Sequence, residues 1–262
     1  MNKLIVAKAP LRISLAGGGT DLPEYYMQPG KSGRIVSFAL DKYIWVTLSS
    51  RFDEELLISY RATEETVGLS NIKHPLIREV LKCYEMPGEH LELHLIANMP
   101  GRGTGLGSSS ALAVALIKAC REWKGLLPLS WQMLAEEAWA LERAGNGVSV
   151  GLQDHLAAAK GGLNYYIITD YINCTEINPL KVSGLLDKLL LFHIGTRVNG
   201  AERILNDMAK RMQDKHYNEA LDAIASQADQ MYLAIERQDW LQVGDILHEN
   251  WEEKKRLSNI VS

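Results

Sequence analysis

Residues 100–119 read PGRGTGLGSSSALAVALIKA, with four glycines in seven residues followed by three serines and an alanine-rich run. Glycine lets the backbone take positive φ and close on a ligand. The helix predicted by the apolar run opens with unpaired N–H groups and about half a positive charge. Loop and helix together make an anion site, phosphate first among its ligands. Ser108, Ser109 and Ser110 can cap the helix, bond phosphate oxygens or lend a hydroxyl to Mg2+. Two familiar nucleotide signatures are excluded. No lysine follows the glycines, as G-x-x-x-x-G-K-[ST] requires, and Leu106 and Ser108 stand where G-x-G-x-x-G needs its last glycine.

Two further stretches carry residues of the right chemistry. In APLRISLAGGGTDLPEYY (residues 9–26), Arg12 lies on a strand that ends in Gly17, Gly18 and Gly19, followed by Thr20 and Asp21. Glycines at a strand end admit a polar ligand, and a neighbouring carboxylate accepts bonds from sugar hydroxyls. In LERAGNGVSVGLQDHLAAAKGG (residues 141–162), Glu142 ends one helix and Asp154 lies in the next. Across the loop between them, one acid could hold Mg2+ while the other orients an attacking hydroxyl or takes its proton. Taken singly, each stretch has a plainer reading: a serine-capped helix, a tight turn, a salt-bridged strand arginine, two surface acids. His155 follows Asp154 directly, so on a helix it points elsewhere and reads as structural. No G-x-S-x-G elbow supports a hydrolase triad.

These residues must be positioned by mixed elements. LIVAKAP and LRISLAG alternate as strands, RIVSFAL and YIWVTLSS read as a strand pair joined at Asp41-Lys42, and ELLISY is a further strand. HPLIREVLKCYE reads as a helix, HLELHLIANM as a half-buried strand delivering the chain to the glycine loop, and SSALAVALIKACREWKG as a buried helix. LSWQMLAEEAWALERAG begins with Ser130 as N-cap, and residues 150–159 form a short helix before the strand GGLNYYIITDY. KLLLFHIG reads as a buried strand. AERILNDMAKRM, NEALDAIASQADQMYLAIER and WLQVGDILHENWEEKKRLS then read as helices, placing a soft boundary near residue 195.

Bulk properties narrow the class. The 262 residues allow one large domain or two smaller ones, and 47% hydrophobic with 23% charged residues is ordinary for a globular protein. A net charge of -4 without a basic run gives no reason to expect nucleic acid. Cys83, Cys120 and Cys174 are far apart, which suits a reducing compartment and argues against disulfides or zinc. No segment has the length of a membrane span or the form of a signal peptide. A soluble cytoplasmic protein is expected.

The order of the three stretches resembles the family of galactokinase, homoserine kinase, mevalonate kinase and phosphomevalonate kinase, the GHMP kinases. APLRISLAGGGTD resembles the first motif, GLGSSSA the phosphate-binding second, and GLQDHLAAAKGG the segment with the catalytic aspartate. The GGGTDLPEYY form of the first motif is most similar to that of the bacterial D-glycero-D-manno-heptose 7-phosphate kinases within the family. The resemblance implies an α+β, two-domain fold, with a mixed α/β N-terminal domain at 1–190 and a helix-rich C-terminal domain at 191–262. It implies ATP and Mg2+, and phosphoryl transfer to the anomeric hydroxyl of a sugar phosphate. Gly103 and the backbone from Gly105 through Leu106, Gly107, Ser108 and Ser109 to Ser110 would bind ATP. Ser109 and Glu142 would hold Mg2+. Asp154 and Arg12 would be catalytic, and Gly18, Gly19, Thr20 and Asp21 would meet the sugar.

Two departures qualify these expectations. Galactokinases carry an acid and a histidine where this chain has Gly18 and Gly19, so the sugar is held differently. The family's third, glycine-rich motif has no counterpart before Ser262, from which an incomplete C-terminal domain is expected. A distal phosphate on the acceptor needs a cation, for which Lys31, Arg34 and Arg197 are candidates. An L-fucose kinase-like enzyme and a non-catalytic sensor on the same fold stay open, as does a homodimer.

Overall fold

The computed structural model describes residues 3–99, 104–146, 150–192, 211–212 and 214–257. Its centre is a seven-stranded sheet. Strand β2 (Gly33–Ser50) is the spine. Along one edge it pairs antiparallel with β1 (Leu4–Ala16). Its other edge is shared: the first half pairs with β6 (Leu163–Ile168), the second with β5 (Leu91–Ala97). Beyond β5 lie β3 (Leu56–Ser59), parallel to it, and β4 (Thr63–Thr66); beyond β6 lies β7 (Ile172–Glu176).

RIVSFAL and YIWVTLSS are therefore one strand, and Asp41-Lys42 is no hairpin turn. The break in alternation is real but has another cause: the β1–β2 register shifts between Pro10 and Arg12. Proline cannot donate to a ladder and is tolerated where pairing is irregular, so LIVAKAP and LRISLAG also join into a single strand.

One face of the sheet is covered by α2 (Pro75–Cys83), α3 (Ser108–Lys124) and α4 (Trp131–Asn146). Helix α3 is buried from Ser110 to Ile117, and its alanines allow close approach to β1 and β2. Ser130 caps α4, its Oγ accepting from the N–H of Met133 at 3.2 Å. On the other face, α7 (Lys215–Arg237) and α8 (Trp240–Leu257) share a core with Leu15, Val36, Phe38, Leu163 and Tyr165. Polar clamps fix α7 in place: Lys31 and the Tyr25 hydroxyl on Asp222, and Arg34 and the Tyr165 hydroxyl on Asp229.

Helix α5 (Gln153–Lys160) packs against α3, α4 and β1, and the short helix α1 (Pro23–Tyr26) follows the triple-glycine turn. KLLLFHIG departs from its expected strand. Helix α6 spans Pro179–Leu186, and Leu190, Leu191 and Phe192 behind it are exposed and outside any strand. A short apolar run does not reveal its own partner, and periodicity alone cannot supply one. Residues 193–195 of that stretch, and AERILNDMAK of the first C-terminal helical segment, lie outside the described residues.

Candidate active site

The glycine loop meets β1 and α5 where the chain's best-placed charges converge. Gly107 has φ +74 and precedes the first turn of α3, which no side chain caps. The N–H groups of Ser108, Ser109 and Ser110 thus begin a 17-residue helix without intrahelical acceptors. A Cβ on Gly107 would sit 3.2 Å from Oδ2 of Asp154 and 3.4 Å from Cγ of Arg12. The absent side chain is what lets the catalytic candidates lie directly against the anion-binding helix end.

Arg12 ties the pieces together. Its Nε donates to Oδ1 of Asp154 at 2.6 Å, a second nitrogen forms an ion pair with the same carboxylate, and a third contact reaches the carbonyl of Gly105 at 2.7 Å. Its backbone N–H donates to the carbonyl of Leu106 at 3.0 Å, while the Leu106 side chain is buried in the core under α3. Leu106 therefore anchors the loop through its side chain, and the polar surface comes from its neighbours. Gly103 lies outside the described residues.

Glu142, on the last turns of α4, is 4% exposed and would be costly to ionise alone. Burial opposes its charge, but hydrogen bonds from His155, Ser109 and Ser110 outweigh it and hold the carboxyl below the usual range. Nε2 of His155 donates to Oε2 at 2.7 Å and the Ser110 hydroxyl donates to the same oxygen at 2.9 Å. His155 is fully buried. Its role is to hold Glu142 in place. The missed signal is the Asp-His pair itself: on a helix, neighbours diverge, so one can face the cleft while the other meets a carboxylate on α4.

A hard cation fits here. Ser109 is exposed and adds to the lowering of the Glu142 carboxyl, which sets one hydroxyl and one carboxylate at the head of α3, the oxygen donors that Mg2+ takes. Among the described residues no three His, Cys, Asp or Glu side chains cluster as a metal cage. Mg2+ bound there would take its remaining ligands from phosphate oxygens and water, as it commonly does.

Beside the triple-glycine turn, Thr20 and Asp21, expected to meet the sugar, are turned inward. Thr20 is buried, donating to the Gly17 carbonyl at 2.8 Å and accepting from the N–H of Arg34 at 3.0 Å. Asp21 is 2% exposed, and its two oxygens accept from the N–H groups of Gly19 at 2.9 Å and Gln153 at 3.0 Å. Burial raises the Asp21 carboxyl, those N–H bonds oppose the rise, and the charge of Asp154 adds to it. Both residues are turned inward, where they bind the turn to α5. Gly19 is buried as well, whereas Gly18 is half-buried. Lys31 and Arg34 face α7 as ion-pair partners, and Arg197 lies outside the described residues.

The chain is similar to known proteins. Residues 72–162 match the model of the GHMP kinases N terminal domain, a span holding the glycine loop, Glu142 and Asp154. The chain is 31% identical to the D-glycero-alpha-D-manno-heptose 7-phosphate kinase of Campylobacter jejuni, over 99% of this chain and 80% of that protein. It is 26% identical to a Thermotoga maritima galactokinase, over 81% of this chain and 61% of the relative. Among solved structures, a D-glycero-D-manno-heptose 1-phosphate kinase from Bacteriodes thetaiotaomicron superposes with TM-score 0.78 at 26% identity, over 97% of this chain and 80% of the other.

Proposed function

This chain belongs to the GHMP kinase family of ATP-dependent phosphotransferases, and on that footing we propose that it phosphorylates the anomeric hydroxyl of D-glycero-D-manno-heptose 7-phosphate, giving the 1,7-bisphosphate. The observation that carries the reading is the Arg12–Asp154 pair set against the N-terminus of α3, with Glu142 bonded to Ser110 of that turn. Support for heptose comes from the relative matched over nearly the whole chain, and from glycine at both positions where galactokinases carry an acid and a histidine.

Phosphoryl transfer needs positioning and charge neutralisation more than covalent chemistry. Backbone N–H groups from Gly105 to Ser110 receive the phosphate oxygens of ATP. Ser109 and Glu142 would hold Mg2+, which would supply charge neutralisation for those phosphates. Asp154 orients the acceptor hydroxyl and takes its proton on a carboxylate oxygen. Arg12 fixes that carboxylate and presents a positive charge beside the transferring group. In this reading the parts at 1–190 and 191–262 are the two domains, and the cleft between them holds the acceptor.

Purified protein with Mg2+ and ATP should release ADP in the presence of heptose 7-phosphate, and much less with L-fucose or D-galactose. Turnover on fucose and none on the heptose phosphate would transfer the assignment to a fucokinase-like activity. Glu142→Gln should raise the Mg2+ concentration for half-maximal rate by about tenfold or more, read by Mg2+ titration at saturating ATP. An unchanged requirement would remove Glu142 from the metal site.

A further inference from the structure

A phosphorylated acceptor brings a second anion to the site, and Lys31 and Arg34, the described cations nearest the first motif in sequence, are turned to carboxylates of α7. Three donors converge on the space over Gly18. A side chain there would begin 3.2 Å from Nε2 of Gln153, 3.3 Å from Oγ of Ser14 and 3.4 Å from Nζ of Lys254. They come from three elements: β1, the first turn of α5 and the late turns of α8. Each is tied to the chemistry already described. Ser14 lies two residues beyond Arg12 on one strand, hence on the same side of it, and Gln153 directly precedes Asp154.

The polar accounting at this spot is incomplete. Oγ of Ser14 and Oε1 of Gln153 are buried with no hydrogen-bond partner among the described residues. Orphaned buried oxygens are uncommon in folded proteins, and a polar ligand is one way to satisfy them. Gly18 is itself half-buried. Hydroxyl, amide and ammonium groups around one vacant side-chain position form a donor set suited to a hydroxylated anion.

We propose that Ser14, Gln153 and Lys254 form the acceptor subsite beside Asp154, with the Lys254 ammonium binding the acceptor's distal phosphate and the other two its hydroxyls. Lys254 is thereby the specificity-determining residue for a phosphorylated over a neutral sugar, contributed by the C-terminal helix. The inference rests on the sugar-kinase reading and deepens it. It also accounts for glycine at position 18: any side chain there would fill the space the acceptor needs.

The test uses Lys254→Met, Lys254→Arg and Gly18→Ala. KM for heptose 7-phosphate, KM for the unphosphorylated heptose and ATP affinity are measured beside melting temperature. Lys254→Met should raise KM for the heptose phosphate about 10- to 100-fold, the range of a charge-assisted hydrogen bond. It should leave ATP affinity and the already weak use of the neutral heptose unchanged. Lys254→Arg should recover most of the loss. Gly18→Ala, which keeps every charge, should raise the same KM without moving ATP affinity.

An unchanged KM for the heptose phosphate in Lys254→Met, or a change in ATP affinity in its place, overturns the assignment. Calorimetric binding of heptose 7-phosphate separates this from failure of the parent reading. Binding by the wild type that Lys254→Met loses, with no turnover, keeps the subsite and removes the kinase assignment. No binding by the wild type removes the subsite.

Discussion

Asp154→Asn should lower kcat by about a thousandfold, within the usual range for loss of a general base, while ATP binds with nearly wild-type affinity. Its geometry makes the experiment clean. Asparagine keeps the shape of the side chain and an oxygen able to accept from Nε of Arg12, now placed 2.6 Å from Oδ1. Arg12 also holds the Gly105 carbonyl at 2.7 Å, and its N–H holds Leu106. The glycine loop therefore keeps two anchors that do not involve Asp154, and the surface that receives ATP should persist. What disappears is the negative charge that accepts the proton and balances the guanidinium. Steady-state rates with saturating heptose 7-phosphate, and ATP titration by calorimetry, give the two readouts. Normal turnover would show that Asp154 only positions Arg12. Loss of ATP binding together with rate would show that the ion pair supports the loop.

The site was legible in the sequence to the extent that its parts are local. The glycine loop, the serines at the head of α3 and the acids at 142 and 154 are short-range patterns with physical reasons of their own. Residue types alone did not say which polar groups face inward. Asp21 looks like an exposed sugar contact because turn aspartates usually see solvent. It is buried because Gly151 brings the backbone before α5 against its carboxylate, 130 residues along the chain. Lys254 was invisible for the same reason. Nothing on WEEKKRLS marks one lysine among its charged neighbours. Long β2 shows the limit for the fold: a register shift breaks alternation much as a turn does, and only the partner strand distinguishes them.

Asp21→Ala should be the most destabilising change at the site, by about 3 kcal/mol. The substitution strips the acceptors from two N–H groups at once, and hydrogen bonds to a charged group are worth about 1.5–3 kcal/mol each. Relief from burying a carboxylate offsets part of that loss. In a chain of this size the net change corresponds to a fall in melting temperature of about 6–10 °C.

The pH dependence has a definite sign. Burial puts the folded Asp21 carboxyl above its unfolded value of 3.8, so its ionisation takes stability from the native state as pH rises through that window. The difference in stability between wild type and Asp21→Ala should therefore be larger at about pH 4 than at about pH 7, measured by urea unfolding at both. Activity should fall as well, because Gln153 N–H opens the helix carrying Asp154, and a carboxylate displaced by an ångström loses much of its rate advantage. Asp21→Asn should also destabilise, since its amide would turn a donor toward one of the two N–H groups. A variant that melts like the wild type while its KM for the sugar rises steeply would return Asp21 to the role its sequence suggests, a direct sugar contact. A lowered melting point with an unchanged KM in the surviving active fraction is the result expected of a pin between the triple-glycine turn and α5.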